Sequence, residues 1–377
     1  MATFTKILQW VRPSVASLGL EITDSYIKLA EIRSAGNKKP VLAEGALEPL
    51  PQGTVVDGKI QKPEVLRRIL EQTIQLYKFR ARRVHLIIPS SSIMVRFLKL
   101  PNVPDKQLRK IIQFEIQNTI HLPFQNPYFD FINLTTDVSL PVPLKQDQEV
   151  TYPDPVHPQQ SWMEMGASQE SLLRDEPVFE EEEEEEEQDE ADVMLIAAPS
   201  ELVDEYLTVV RQSGLRPKSI EIKALSSYRL LLEAAEPELL QQTILTLDLN
   251  MDAADMSIFH EGQLKITRSV PVRFQEDQDS LNGMQQQEPQ VELAHELERL
   301  MNFYRYTLNN RTQEFAAVVL TGEIRQLAQV SEFLSDRLGM QVITPDSGWL
   351  ESEKPQLHSW VTSLAIPIGL GLRGNQG

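Results

Sequence analysis

A strand that carries a carboxylate into a tight turn occurs twice in this chain, and that recurrence narrows the folds open to it. In the second half, Thr243-Ile244-Leu245-Thr246-Leu247-Asp248-Leu249-Asn250 runs into a polar turn, Met251 to Asp255, and returns through Met256-Ser257-Ile258-Phe259. After Glu261-Gly262-Gln263 a third apolar run spans Leu264 to Val270. Near the start, Leu18-Gly19-Leu20-Glu21-Ile22-Thr23 reaches a turn at Asp24-Ser25 and returns through Tyr26-Ile27-Lys28-Leu29. Apolar runs bounded by polar turns read as strands. Two such units, one opening each half, predict a duplicated two-lobed α/β protein, although single hairpins of this kind occur in many α/β folds.

The 377 residues are enough for two or three domains with ample core. The absence of cysteine excludes disulfides, thiolate metal sites and cysteine nucleophiles. No stretch approaches the ~20 apolar residues that span a bilayer, so a cytoplasmic location is expected. The net charge of −19 is concentrated: ten acids lie in Glu180 to Glu187, Asp189 and Glu190, and without them the charge is −9. With Lys and Arg otherwise dispersed, nucleic acid is not an expected partner. A local basic cluster, Lys78, Arg80, Arg82 and Arg83, reads as a solvated loop.

Residues 1–16 form a short amphipathic segment around Phe4, Ile7, Leu8, Trp10 and Val11. Residues 17–240 are read as a first lobe carrying an inserted α+β subdomain at about 40–134. Within it, Pro63 opens a helix with Leu66, Leu70 and Ile74 on one face. Pro104-Asp105 opens another that stops at His121-Leu122-Pro123-Phe124. The stretch 138–190, rich in Pro, Gln, Asp and Glu, reads as a disordered acidic insertion, because like charges repel and bury nothing. It is either a solvated loop or a recruiter of a basic partner such as an assembly motor. A strand is expected from Val193 to Ala198 and a helix from Ser200 to Ser213. Residues 241–373 form the second lobe, and its last apolar segment, Trp360 to Leu372, interrupted by Pro367, either stays with it or returns to the first lobe.

The chemistry is defined partly by what is missing. Six scattered histidines offer no metal spacing, and neither a Walker loop nor a Gly-x-Gly-x-x-Gly is present. Ser90-Ser91-Ser92 lacks a nucleophile elbow and reads as a turn. What remains is the pair of acid-bearing turns, an arrangement whose backbone amides can hold phosphates while carboxylates hold hydrated magnesium.

An ordered series of short motifs resembles a known family. It runs through Leu18-Gly19-Leu20-Glu21-Ile22, Lys28-Leu29-Ala30-Glu31-Ile32, Val56-Asp57-Gly58-Lys59-Ile60, Val95-Arg96-Phe97-Leu98-Lys99-Leu100-Pro101, Phe114-Glu115, Leu122-Pro123-Phe124 and Asp130-Phe131. It continues through Ala197-Ala198-Pro199, Ser213-Gly214-Leu215-Arg216-Pro217, Glu298-Arg299, Leu320-Thr321-Gly322 and Ile368-Gly369-Leu370-Gly371-Leu372-Arg373. This series resembles PilM, the actin-like, FtsA-like family of type IV pilus assembly.

The resemblance implies a ribonuclease-H-like duplicated fold and ATP between two lobes. The candidate nucleotide residues are Glu21, Thr23, Asp24, Ser25, Asp248, Asn250, Thr321, Gly322 and Glu323. The family's turns read Asp-x-Gly, whereas this chain has Glu21-Ile22-Thr23 and Asp248-Leu249-Asn250. Its third turn carries further glycines where this chain has Glu323-Ile324. Side chains intrude where backbone must approach a phosphate. Glu323 adds a carboxylate with no cation beside it in sequence. A degenerate site is therefore expected, without catalysis or a metal, Asp248 serving magnesium only if ATP binds. The alternative is a working actin-like ATPase.

The resemblance also implies a non-catalytic adaptor at the inner face of the cytoplasmic membrane. It would bind the N-terminal tail of a PilN-like membrane protein in a groove of the first lobe against the inserted subdomain, and associate with the membrane only through partners. Ile112, Glu115, Ile116, Ile120, Leu122 and Phe124 are the candidate wall.

Overall fold

In the computed structural model, residues 15–34, 39–135, 190–274, 288–307 and 313–374 are described. Residues 1–14 of the expected amphipathic segment 1–16, and all of the acidic stretch but Glu190, lie outside them.

The chain opens with a three-stranded antiparallel meander, β1 (Val15–Ile22), β2 (Tyr26–Ser34) and β3 (Val41–Pro49). A small hairpin, β4 (Val55–Val56) with β5 (Lys59–Ile60), precedes helix α1 (Pro63–Leu76). Proline at the start of α1 costs no hydrogen bond there, and Leu66, Leu70 and Ile74 are buried along one face. Strand β6 (Arg83–Ile87) then lies parallel to β1.

Next come β7 (Met94–Pro101), α2 (Asp105–Asn118), β8 (Pro127–Asn133) and β9 (Glu190–Pro199), with β9 central between antiparallel β7 and β8. These residues, 94–135 and 190–200, form a compact unit of their own, packed around Leu108, Ile112, Ile120, Val193 and Leu195. The expected inserted subdomain thus begins at Met94 instead of about residue 40. The reason is that β3 pairs along β2 from Tyr26↔Pro49 to Arg33↔Val41 and sends Leu42 into the first lobe's core.

The larger unit resumes with α3 (Ser200–Gln212), β10 (Arg216–Glu221), α4 (Lys223–Ala234) and the single turn α5 (Pro237–Leu240). A second meander follows, β11 (Thr243–Leu249), β12 (Ala253–His260) and β13 (Gln263–Pro271). The remaining elements are α6 (Pro289–Thr307), β14 (Phe315–Gly322), α7 (Leu327–Leu338), β15 (Val342–Ile343), β16 (Glu351–Ser352) and α8 (Ala365–Arg373).

The duplication is visible in the strand orders. The first sheet reads β10-β6-β1-β2-β3-β16 and the second β13-β12-β11-β14-β15. In each, a meander is extended at its first strand by two parallel strands, β6 and β10 in one and β14 and β15 in the other. Helix α8 packs on β1 and β2 of the first sheet and against α4. Pro367 lies in its first turn, where amides have no helical acceptor in any case. Gly19 gives it room: a β-carbon there would sit 1.8 Å from the Pro367 carbonyl oxygen.

Candidate functional site

The two acid-bearing turns converge at the ends of β1, β11 and β14, and strand register decides which charges meet. On the first hairpin, Glu21 stands directly opposite Lys28. On the second, Asp248 stands opposite Asp255, two like charges on one face. Such a pair is destabilising unless a cation lies between. The cation is Lys223, the first residue of α4, whose Nζ lies 2.8 Å from Glu21 Oε1, 3.1 Å from Asp248 Oδ2 and 2.7 Å from Asp255 Oδ2.

Lys28, fully buried, forms the other half of the cluster. Its Nζ lies 3.1 Å from Glu21 Oε2, donates to Asn250 Oδ1 at 2.8 Å, and reaches Glu323 Oε2 at 2.6 Å. Asp248 Oδ1 also accepts from the Thr321 hydroxyl at 2.8 Å, its neighbour across the parallel β11–β14 ladder. Four carboxylates and two ammonium groups thus share one buried site. Sequence reading missed both lysines and left Glu323 without a cation; the structure places Lys28 against it.

Burial and charge act in opposite senses here. Burial alone would lower the pKa of both lysines. The carboxylates outweigh it, Glu21, Glu323 and Asp248 for Lys28 and Asp255, Glu21 and Asp248 for Lys223, so both stand above the ordinary value. Burial would raise the Asp248 carboxyl, but Lys223 and Lys28 bring it below its usual range. Burial raises the Glu323 carboxyl, and Lys28 only partly offsets this because Glu21 and Asp248 stand nearby.

The turn amides are equally committed. Thr23 Oγ1 accepts from the amides of Ser25 and Tyr26, and Thr23 N donates to Tyr26 O. Ser25 Oγ donates to Asp252 Oδ2 at 2.7 Å, tying the first turn to the second. Asn250 N bonds Ala253 O, Gly322 N bonds Thr362 O and Glu323 N bonds Leu249 O. The amide of Met251 donates to Glu323 Oε1 at 3.3 Å. Gly322, at φ +133°, would place a β-carbon 2.1 Å from Leu249 O. The freedom of that glycine serves protein backbone and not a ligand. A cavity lined by Thr246, Val319, Thr321, Leu230 and Ala365 measures about 10 Å³, room for one water.

Of the predicted nucleotide residues, the structure gathers Glu21, Thr23, Ser25, Asp248, Asn250, Thr321, Gly322 and Glu323. Asp24 turns away and accepts from the amides of Asp57 and Gly58 at 2.7 and 3.0 Å. A magnesium nucleotide would need free amides for its phosphates and carboxylates open to hydrated metal. The residues present do not fit it, since the amides named above have acceptors within the protein and each carboxylate faces Lys28 or Lys223, Asp255 through Oδ2 only. Among the described residues no three acids or histidines are arranged to hold a metal ion.

In the smaller unit, Ile112 and Ile120 are buried in the core. They correct the expected partner wall, because a peptide cannot touch them. Glu115, Ile116, Leu122 and Phe124 are half-buried. Phe114, quoted in the sequence only as part of a motif, is 61% exposed on α2.

Residues 19–147 match the family model described as "Type IV pilus assembly protein PilM". Over that stretch, about a third of the chain, the sequence is similar to that family. No curated protein matches the chain. A solved structure, "PilM-PilN type IV pilus biogenesis complex", holds a similar chain at 22% identity, covering 96% of this chain and 99% of that one with a TM-score of 0.69. The ethanolamine utilization protein EutJ from Carboxydothermus hydrogenoformans is 12% identical, with coverage of 96% and 90% and a TM-score of 0.46. The cytoplasmic domain of EpsL from Vibrio cholerae is 11% identical, with coverage of 86% and 94% and a TM-score of 0.40. With the PilM match and the duplicated topology, the fold is the two-lobed actin-like one. Among the described residues no helix is long and apolar enough to cross a membrane.

Proposed function

We propose that this chain is a type IV pilus assembly adaptor. It captures the N-terminal tail of a PilN-like membrane protein at the cytoplasmic face of the inner membrane, and does so without binding or hydrolysing ATP. The observation that supports the non-catalytic half is the buried charge cluster in which each of Glu21, Asp248, Asp255 and Glu323 faces Lys28 or Lys223. Support for the pilus role comes from the PilM family match and from the similar solved structure, a complex of PilM with PilN. The chain reaches the membrane through its partner. Nucleic acid is not an expected partner.

The tail docks on the smaller unit. Helix α2 offers Phe114 and Ile116 with Glu115 between them, and Leu122 and Phe124 follow at its end. Apolar anchors with an acid beside them suit a basic, amphipathic tail. Calorimetric titration with a synthetic peptide of the cognate PilN-like N-terminus tests this. Micromolar binding is expected, weakened at least about tenfold in Phe114→Asp or Ile116→Asp. Absence of binding, or unchanged binding in both variants, would defeat the proposal.

A further inference from the structure

Glu323 is placed unlike any other acid in the cluster. It leaves the end of β14 through Gly322, and its fully buried carboxylate bridges two groups from elsewhere in the chain: Oε2 to Lys28 Nζ at 2.6 Å and Oε1 to the Met251 amide at 3.3 Å. Lys28 comes from β2 and Met251 from the β11–β12 turn, so one side chain ties the first hairpin, the second hairpin and the third turn together. An ammonium and a backbone N–H converging on two oxygens of one group form an oxyanion site. Asn250 Oδ1, accepting from the same Nζ at 2.8 Å, fixes the lysine in place.

We infer that Glu323 is a tethered anion filling an oxyanion-binding site formed by Lys28 Nζ and Met251 N–H, so that the cleft is held together by a residue where a bound phosphate or sulfate would otherwise be required. This rests on the nucleotide-independent reading above and goes further by assigning the replacement to one side chain. Glu21, Asp248 and Asp255 cannot substitute for it. Asp248 and Asp255 face Lys223, and Glu21 divides its two oxygens between the lysines. Truncating Glu323 leaves the Met251 amide and one donor of Lys28 buried without an acceptor, while Glu21 stays 3.1 Å from the lysine, and a free oxyanion of the right size can supply the missing acceptor.

The test is thermal melting of full-length wild type, Glu323→Ala and Glu323→Gln, titrated with inorganic phosphate against chloride at equal ionic strength. Glu323→Ala should melt below wild type in chloride and recover by at least about 2 °C in ~50 mM phosphate. Wild type, with the site filled, should show no comparable gain. Glu323→Gln, which keeps the shape and blocks entry, should fall and fail to recover. Equal phosphate gains in all three proteins would mean binding elsewhere and would overturn the assignment. So would the absence of a phosphate gain in Glu323→Ala, or its failure to refold from urea with phosphate present. Magnesium-ATP binding by wild type is a separate measurement, so the functional reading and this inference fail independently.

Discussion

Lys223 sits on the first residue of a helix, the end at which a positive charge is least favoured. Three carboxylates hold it there, and the dependence is mutual, because Asp248 and Asp255 face each other across a ladder. Removing one member of a buried ionic cluster strands the others at a cost of about 3–5 kcal/mol. Lys223→Met should therefore lose stability of that order by urea denaturation, and Lys223→Met/Asp255→Asn should regain part of it. A double variant no more stable than the single would disprove the pairing. His85 gives a pH-dependent counterpart. Burial lowers its pKa to about 4, the nearby Glu221 failing to compensate, and Ser219 Oγ lies 2.7 Å from its Nδ1. Because the folded value lies below the ordinary 6.5, the neutral ring stabilises the fold fully above that pH, and the contribution disappears as pH falls toward 4. Stability should drop by up to about 3 kcal/mol across that window, and His85→Asn should flatten the profile. Neither lysine was recognised from the sequence, since a lone lysine ordinarily reads as surface. Two signals were nonetheless present: Lys28 interrupts a continuous apolar run, and the second hairpin puts two acids at opposed positions.

Helix α8 shows what an element's sequence conveys and where it stops. Its apolar character could be read directly, and Pro367 made its limits ambiguous until the structure placed the proline in the first turn. What the pattern could not convey is how closely α8 approaches α4. Ser226 Oγ donates to Ile366 O at 2.7 Å and Arg229 to Gly369 O at 2.8 Å, and a β-carbon on Gly369 would lie 2.1 Å from Ser226 O. Gly369→Val must push the two helices apart, which should cost about 1–3 kcal/mol or more and appear as a lowered melting temperature. An unchanged melt would contradict that contact. Arg373 at the end of α8 favours its helix dipole and pairs with Glu221, which Arg229 also meets at 3.0 Å. Burial would raise the Glu221 carboxyl, and the two arginines hold it below its usual range instead. The strands were more legible than these helix contacts, because alternating or continuous apolar runs ended by Gly, Asn and Asp fix their extent locally. The insertion's start was not, since nothing in Val41–Pro49 itself says which strand it will pair with.

At the scale of the molecule, two sheets of matching strand order meet through charged residues at the ends of β1, β11 and β14 and through the Ser25–Asp252 bond. The proposed function implies that this cleft, fastened by its own side chains, keeps its geometry without nucleotide. Calorimetric titration of the full-length chain with magnesium-ATP tests that claim most directly. No saturable heat is predicted at micromolar to sub-millimolar nucleotide. A micromolar dissociation constant that disappears in Asp248→Ala would contradict it and restore the working ATPase.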